Sequence, residues 1–311
     1  MPDVILNVVL LTVRYAIKCS GMSLFVHFFI LIYLLIAPAG SKLNPPSSAI
    51  NYAEGYDLGH PKQYILDKSL REISGIVFLN KNDHELGAIE DENGRLYYFH
   101  LGSGKLNHSK FSKKGDYEDV TLFKNEEIVV LRSDGSLFEF PLSQAKNGQI
   151  ENTREYKHLL PAGEYESLSA DTEQLFVLCK NCPGDNQKKE VSVYRVRRNK
   201  NGALFVASQF KIDLSGIHMK KNSESSKFHP SCLARHPITG EWYIISSVNK
   251  LLLVLNTQWK LKTFYSLNPA LFKQPEGLAF DENGDMYISN EGGKGDADIL
   301  VFNYNKNENK K

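Results

Sequence analysis

The feature that most constrains this chain is a repeat. Five segments share one pattern: Glu72-Ile-Ser-Gly-Ile, Glu118-Asp-Val-Thr-Leu, Glu166-Ser-Leu-Ser-Ala, Ser231-Cys-Leu-Ala-Arg and Glu276-Gly-Leu-Ala-Phe. Successive starts lie 46, 48, 65 and 45 residues apart. A fixed period of this size marks an architecture in which one supersecondary unit cannot bury its apolar face alone and stacks on its neighbours.

Each start is followed by a turn and a second strand, read at 86–91, 128–134, 175–181, 242–248 and 286–291. A third strand follows at 95–101, 136–142, 191–196, 251–256 and 299–304. These runs are rich in Val, Ile, Tyr and Phe, which suit a pleated, buried surface. Asn-Gly, Asp-Gly and Thr-Gly pairs supply the hairpin turns between them. No stretch after residue 60 has a helical period, so the expected fold is all-β. It is a five-bladed β-propeller with four-stranded antiparallel blades. The long interval holds two polar loops, at 183–189 and 219–227. Each repeat is preceded by one more strand, such as 261–267, but the fifth repeat runs into a polar tail. Its missing outer strand is expected from Pro61-Lys-Gln-Tyr-Ile-Leu-Asp67, which closes the ring and removes open edges.

The N-terminus is different in kind. Residues 24–37 form an apolar run of 14, shorter than the roughly 20 residues a spanning helix needs. Ala37-Pro38-Ala39 then offers an A-x-A-like cleavage site. Residues 1–40 are therefore read as a signal peptide or an uncleaved membrane anchor, with a buried core helix the least favoured reading. Residues 41–60 follow as a linker, 61–305 as the propeller and 306–311 as a polar tail. The favoured readings export the domain to the periplasm or hold it outside the membrane, associated through its N-terminus if uncleaved. The chain carries 37 basic and 36 acidic residues, and without Arg14, Lys18 and Asp3 of the leader the balance is 35 to 35. Such a neutral domain gives no electrostatic basis for binding nucleic acid. The expected state is a monomer that recognises an unknown ligand or envelope protein.

The recurrent glutamate places Glu72, Glu118, Glu166 and Glu276 where inner strands converge, with Ser231 completing a ring of four carboxylates and one hydroxyl. Crowded carboxylates either raise their pKa values or take up a cation. Oxygen-only ligands at flexible spacing suit Ca²⁺, with Mg²⁺ the lesser possibility. The opposing reading is that these glutamates cap strands by bonding backbone N–H groups. A second polar set ends the second strands, at Asp91, Asp134, Asn181, Asn249, Asn290 and Glu291, and reads mainly as turn chemistry. Asp281-x-Asn283-x-Asp285 lacks the glycine and ligand glutamate of an EF-hand.

Catalytic signals are few. No nucleophile elbow, zincin helix or phosphate-binding glycine loop is present. His229 and His236 flank Ser231, so either could serve as a base, though a lone histidine is more often structural. Arg132, Asp134, Tyr117 and Tyr165 could line the channel mouth or simply pack. Cys179-Lys-Asn-Cys182 has no second pair to complete a zinc site and reads as a local disulfide or two free thiols.

The motifs EISGI (72–76), AIEDENGRLY (88–97), GDYED (115–119), LRSDGSLFEF (131–140), HPITGEWYIISSVNKLLLVL (236–255) and FKQPEGLAFDENGDMYISNEG (272–292) occur in fixed order. On these the chain resembles the SdiA-regulated domain family of exported bacterial propellers. The resemblance implies a five-bladed propeller distantly similar to NHL-repeat propellers, a calcium site, and a membrane-proximal N-terminal segment. It implies no reaction. Two functions compete: a calcium-stabilised binding or scaffold module, and a metal-dependent hydrolase of the lactonase or phytase propeller type. The second is disfavoured because a mainly glutamate ring can satisfy the ion, and no lysine or arginine cluster is expected beside it.

Overall fold

The computed structural model describes residues 52–80, 84–124, 126–217 and 227–306. The described residues open with a hairpin, β1 (Tyr52–Ala53) and β2 (Tyr56–Asp57), then β3 (Lys62–Ile65). Blade 1 is β4 (Ile73–Asn80), β5 (Glu85–Glu90), β6 (Arg95–Phe99) and β7 (Leu106–Lys110). Blade 2 is β8 (Tyr117–Phe123), β9 (Glu127–Arg132), β10 (Leu137–Pro141) and β11 (Arg154–Tyr156). Blade 3 is β12 (Glu164–Ala170), β13 (Gln174–Asn181), β14 (Glu190–Arg198) and β15 (Leu204–Asp213). Blade 4 is β16 (Cys232–Arg235), β17 (Trp242–Ser246), β18 (Leu251–Leu255) and β19 (Leu261–Ser266). Blade 5 is β20 (Pro275–Phe280), β21 (Met286–Asn290) and β22 (Asp298–Phe302), to which β3 adds as the outer strand. Lys62 to Ile65 run antiparallel to Asp298–Val301, so the first and last segments share one sheet. The only helical elements among the described residues are two single 3₁₀ turns, Lys68–Leu70 and Leu142–Gln144.

The ring is held between its blades. Among the described residues five buried apolar clusters occur, one at each junction of neighbouring blades. In β17, Trp242 and Ile244 face blade 3 while Tyr243 and Ile245 face blade 5. A strand buried on both faces needs apolar residues at every position, which is why the second and third strands read as continuous hydrophobic runs. The long third interval has a local cause as well as its loops. The outer hairpin of blade 3 is extended, with β14 of 9 and β15 of 10 residues.

Residues 52–60 depart from the linker reading. The β1–β2 hairpin inserts Tyr56, fully buried, among Tyr243, Phe280, Tyr304 and His236. Its hydroxyl donates to Gly284 O at 2.5 Å, so the buried phenol keeps a hydrogen bond. The leader, residues 1–40, lies outside the described residues, as do most of loop 219–227 and residues 307–311 of the tail. Among the described residues no helix is long and apolar enough to cross a membrane.

Candidate functional site at the channel mouth

Four of the five innermost strands, all but β16, enter the ring through a β-bulge, and the bulge decides which side chain reaches the axis. In β8 the register jumps between Tyr117 and Asp119, leaving Glu118 unpaired; in β12 it jumps across Glu166, and in β20 across Glu276. A bulged residue drops out of the ladder and its side chain is re-aimed. In β4 the pairs are Ile73 with Glu90 and Ile76 with Ala88, so the bulge falls on Ser74 and Gly75. Ser74 is therefore the counterpart of Glu118, and Glu72 stands two residues earlier, level with Asp116, Glu164, His229 and Gln274. The ring is three glutamates and two serines, Ser74 and Ser231, in place of the expected four carboxylates and one hydroxyl. The shared letters of Glu72-Ile-Ser-Gly-Ile had masked a two-residue offset.

The residue after each ring position is short: Gly75, Asp119, Ser167, Cys232 and Gly277. Backbones approach closely here. A Cβ on Gly75 would collide with Asp119 and the Val120 nitrogen, and one on Gly277 with Ser289 and the Ser74 carbonyl. Blade-to-blade bonds run at this level: Ser289 Oγ donates to Ser74 O at 3.0 Å, and Leu168 N–H to Asp119 Oδ2 at 2.7 Å.

All four sequence-predicted glutamates line one cavity of about 490 Å³. Glu166 is buried, Glu118 and Glu276 are half-buried, and Glu72 is exposed at the rim. Asp91, Asp116 and Glu291 join them, with Ser74 and Ser231. Burial, then the charges of Glu166 and Asp116, pushes the Glu118 carboxyl up to about 9. Burial and Glu166 push Glu276 up to about 8, although Ser231 and Ser247 hydrogen bonds favour its ionised form. Burial and Glu72 raise Asp91 to about 7. Burial also raises Glu291, with Glu72 adding to it, and raises Glu166 against the pull of Lys180. These are the shifts of carboxylates sharing too little water.

The cavity also carries cations, against the expectation that none would cluster there: Lys180, Lys250 and Lys273 line it. Lys180 Nζ pairs with Glu166 and lies 3.1 Å from Glu164. Burial disfavours its charge, but these carboxylates outweigh that and hold its pKa above the usual lysine value. Lys250 Nζ donates to Lys273 O at 2.6 Å, and burial lowers its pKa despite Glu276. Sequence reasoning missed Lys180 because it sits inside the C-x-x-C. Ser74 could have been found by aligning the repeats on the apolar residue two beyond each ring position: Ile76, Val120, Leu168, Leu233 and Leu278.

The other candidates divide cleanly. His229 lines the cavity; His236 does not. It is fully buried at the far end of β16, its Nδ1 accepting the N–H groups of Ile238 and Thr239 at 3.1 Å each, and burial lowers its pKa to about 4. Tyr117 and Tyr165 are buried, their hydroxyls donating to Lys113 O and Pro161 O at 2.8 Å. Arg132 pairs with Asp134 at 2.7 Å, and that bond holds Asp134 down to about 2. Asn249 and Asn290 satisfy turn and strand-end backbone, so of the second polar set only Asp91 and Glu291 reach the cavity. Cys179 and Cys182 form a disulfide, and Cys232 is a buried free thiol.

The donor set suits a hard cation: apart from the His229 imidazole the potential ligands are carboxylate and hydroxyl oxygens, and Asp91 Oδ1 is buried without a hydrogen-bond partner. The donors are spread around a cavity. Among the described residues the one group of three metal-binding atoms within 4.8 Å is Cys179, Cys182 and Asp185, and its two sulfurs are joined to each other. An ion held by the ring would thus need water to complete its shell.

Solved structures align with the chain over about three quarters of its length at low identity. Virginiamycin B lyase from Staphylococcus aureus aligns with a TM-score of 0.42 and 14% identity over 77% of this chain and 69% of that one. A luciferin-regenerating enzyme aligns at 0.47 with 9% identity, covering 78% and 95%. A structural genomics protein from Bacteroides thetaiotaomicron aligns at 0.45 with 15% identity, covering 74% and 55%. No curated protein matches the sequence. Residues 60–293 match the SdiA-regulated family, and the chain belongs to that family.

Proposed function

We propose that the channel-mouth cavity binds Ca²⁺ and that the chain serves as an exported binding or scaffold module of the cell envelope. The supporting observation is the convergence of three bulged glutamates, Glu118, Glu166 and Glu276, with Asp91, Asp116, Glu72 and Glu291 on one cavity. A divalent cation would offset the negative charge that burial and neighbouring carboxylates disfavour on Glu118, Glu276, Asp91, Glu166 and Glu291. Glu118, Glu166, Glu276 and Asp91 would hold it. Lys250 and Lys273, on the same wall, suit an anionic group on whatever ligand fills the remaining space. Isothermal titration of calcium into chelator-stripped protein tests this reading; a single saturable site supports it, and absence of heat at millimolar calcium opposes it.

His229 and the wall lysines favour a second reading, a calcium-dependent hydrolase of an anionic ester or lactone. Turnover of such substrates that stops with chelator and in His229→Ala would support it over the binding module.

A further inference from the structure

Lys180 is placed unlike the other cavity lysines. Its Nζ pairs with ring residue Glu166 and, at 3.1 Å, with Glu164. Its backbone is fixed on both sides: the Cys179–Cys182 disulfide brackets it, and its carbonyl accepts the Gln187 side-chain N–H. Cys182 in turn fits against Gly163, where a Cβ would crowd Sγ. The C-x-x-C therefore neither binds metal nor presents a free thiol; it closes a short loop that carries one ammonium group to the ring.

We propose that Lys180 is the cavity's own counter-ion, occupying the place beside Glu166 that a divalent cation must take and so setting how tightly the metal binds. This rests on the reading of the cavity as a calcium site. A tethered monovalent cation pairs with Glu166 and helps hold the metal-free ring together. A metal ion entering the ring displaces it or shares Glu166 with it, and either cost weakens binding. The disulfide restrains the backbone from which the side chain extends, so the ammonium starts close to the carboxylate and less ordering is needed to pair the two.

The test is calcium titration by calorimetry, with melting in chelator, on wild type, Lys180→Met, Lys180→Arg and the double variant Cys179→Ser/Cys182→Ser. Removing one nearby positive charge is expected to tighten calcium binding about tenfold in Lys180→Met. The same variant melts lower than wild type in chelator, because Glu166 loses its partner. Lys180→Arg keeps the charge and stays within about threefold of wild type, and the double serine variant shifts toward Lys180→Met. If Lys180→Met does not fold, the double serine variant carries the test alone. Equal or weaker calcium binding in a folded Lys180→Met or double serine variant overturns the proposal while the calcium site stands. Folded proteins that all fail to bind calcium overturn the calcium reading, and this proposal with it.

Discussion

Asp119 Oδ2 accepts the backbone N–H of Leu168 at 2.7 Å while its Oδ1 accepts that of Val120 at 2.8 Å, so one buried carboxyl fastens blade 2 to blade 3 beneath the cavity. Burial raises its pKa well above the usual carboxylate range even with both donors in place. Asp119→Ala leaves the Leu168 N–H without its acceptor in a dry place, which costs about 1–3 kcal/mol beyond any loss of packing. Urea unfolding measures it. A change below about 0.5 kcal/mol would show that this bond does not couple the blades.

Gly75 faces the same carboxyl, and a methyl group there has no room beside Asp119 and the Val120 nitrogen. Gly75→Ala is expected to lower stability by about 1–3 kcal/mol through overpacking, where Ala at a permissive site would be neutral or stabilising. The denaturant midpoint of this single variant is the check.

Closure of the ring is the next consequence. Deleting residues 61–67 removes β3 and exposes the ladder edge of β22, whose Ile299 and Leu300 are fully buried. An unpaired apolar edge aggregates. The truncated protein should lose its cooperative melt and sediment as large species. A truncated domain that melts as the full one would show that β3 does not close the ring.

The carboxyl shifts predict a pH dependence with a definite sign. Asp91, Glu276 and Glu118 are raised to about 7, 8 and 9 in the folded protein. Unfolded, such groups titrate near 4. Between those limits the native state binds more protons than the unfolded state, so stability falls as pH rises. In chelator the melting temperature should be highest near pH 4–5 and decline toward pH 9, by about 5 °C or more. Glu118→Gln with Glu276→Gln should flatten the decline, because two of the three groups no longer titrate.

Much of this was legible in the residues, for physical reasons. Blade count was readable because the same strand pattern recurs five times, and the inner strands stood out because a run such as Trp242-Tyr-Ile-Ile, buried on both faces, admits no polar position. Glu118, Glu166 and Glu276 could be found because the bulge needs a short residue and an apolar one directly after them. Glu72 joined them by letter and misled on register, because only the ladder shows which residue is unpaired. His236 stood near Ser231 in sequence, but β16 carries the chain about 3.3 Å per residue from the cavity to the opposite end. Lys180 was hidden because a C-x-x-C draws attention to its sulfurs, and a side chain's reach across a blade to Glu166 leaves no periodic trace.

The central claim is that the bulged glutamates bind calcium in the folded state, and thermal melts of wild type and Glu118→Gln, each in calcium and in chelator, test it most directly. Calcium at about one hundred times its dissociation constant should stabilise the wild type by about 2.7 kcal/mol. For a domain of this size that is a rise of about 5–10 °C. Glu118→Gln should lose most of that rise, yet match or exceed the wild type in chelator at pH 8, because the substitution removes a carboxyl that burial keeps from ionising. A wild type whose melting temperature does not move with calcium, paired with a Glu118→Gln variant that is less stable in chelator, would contradict the account and return the glutamates to the role of strand caps.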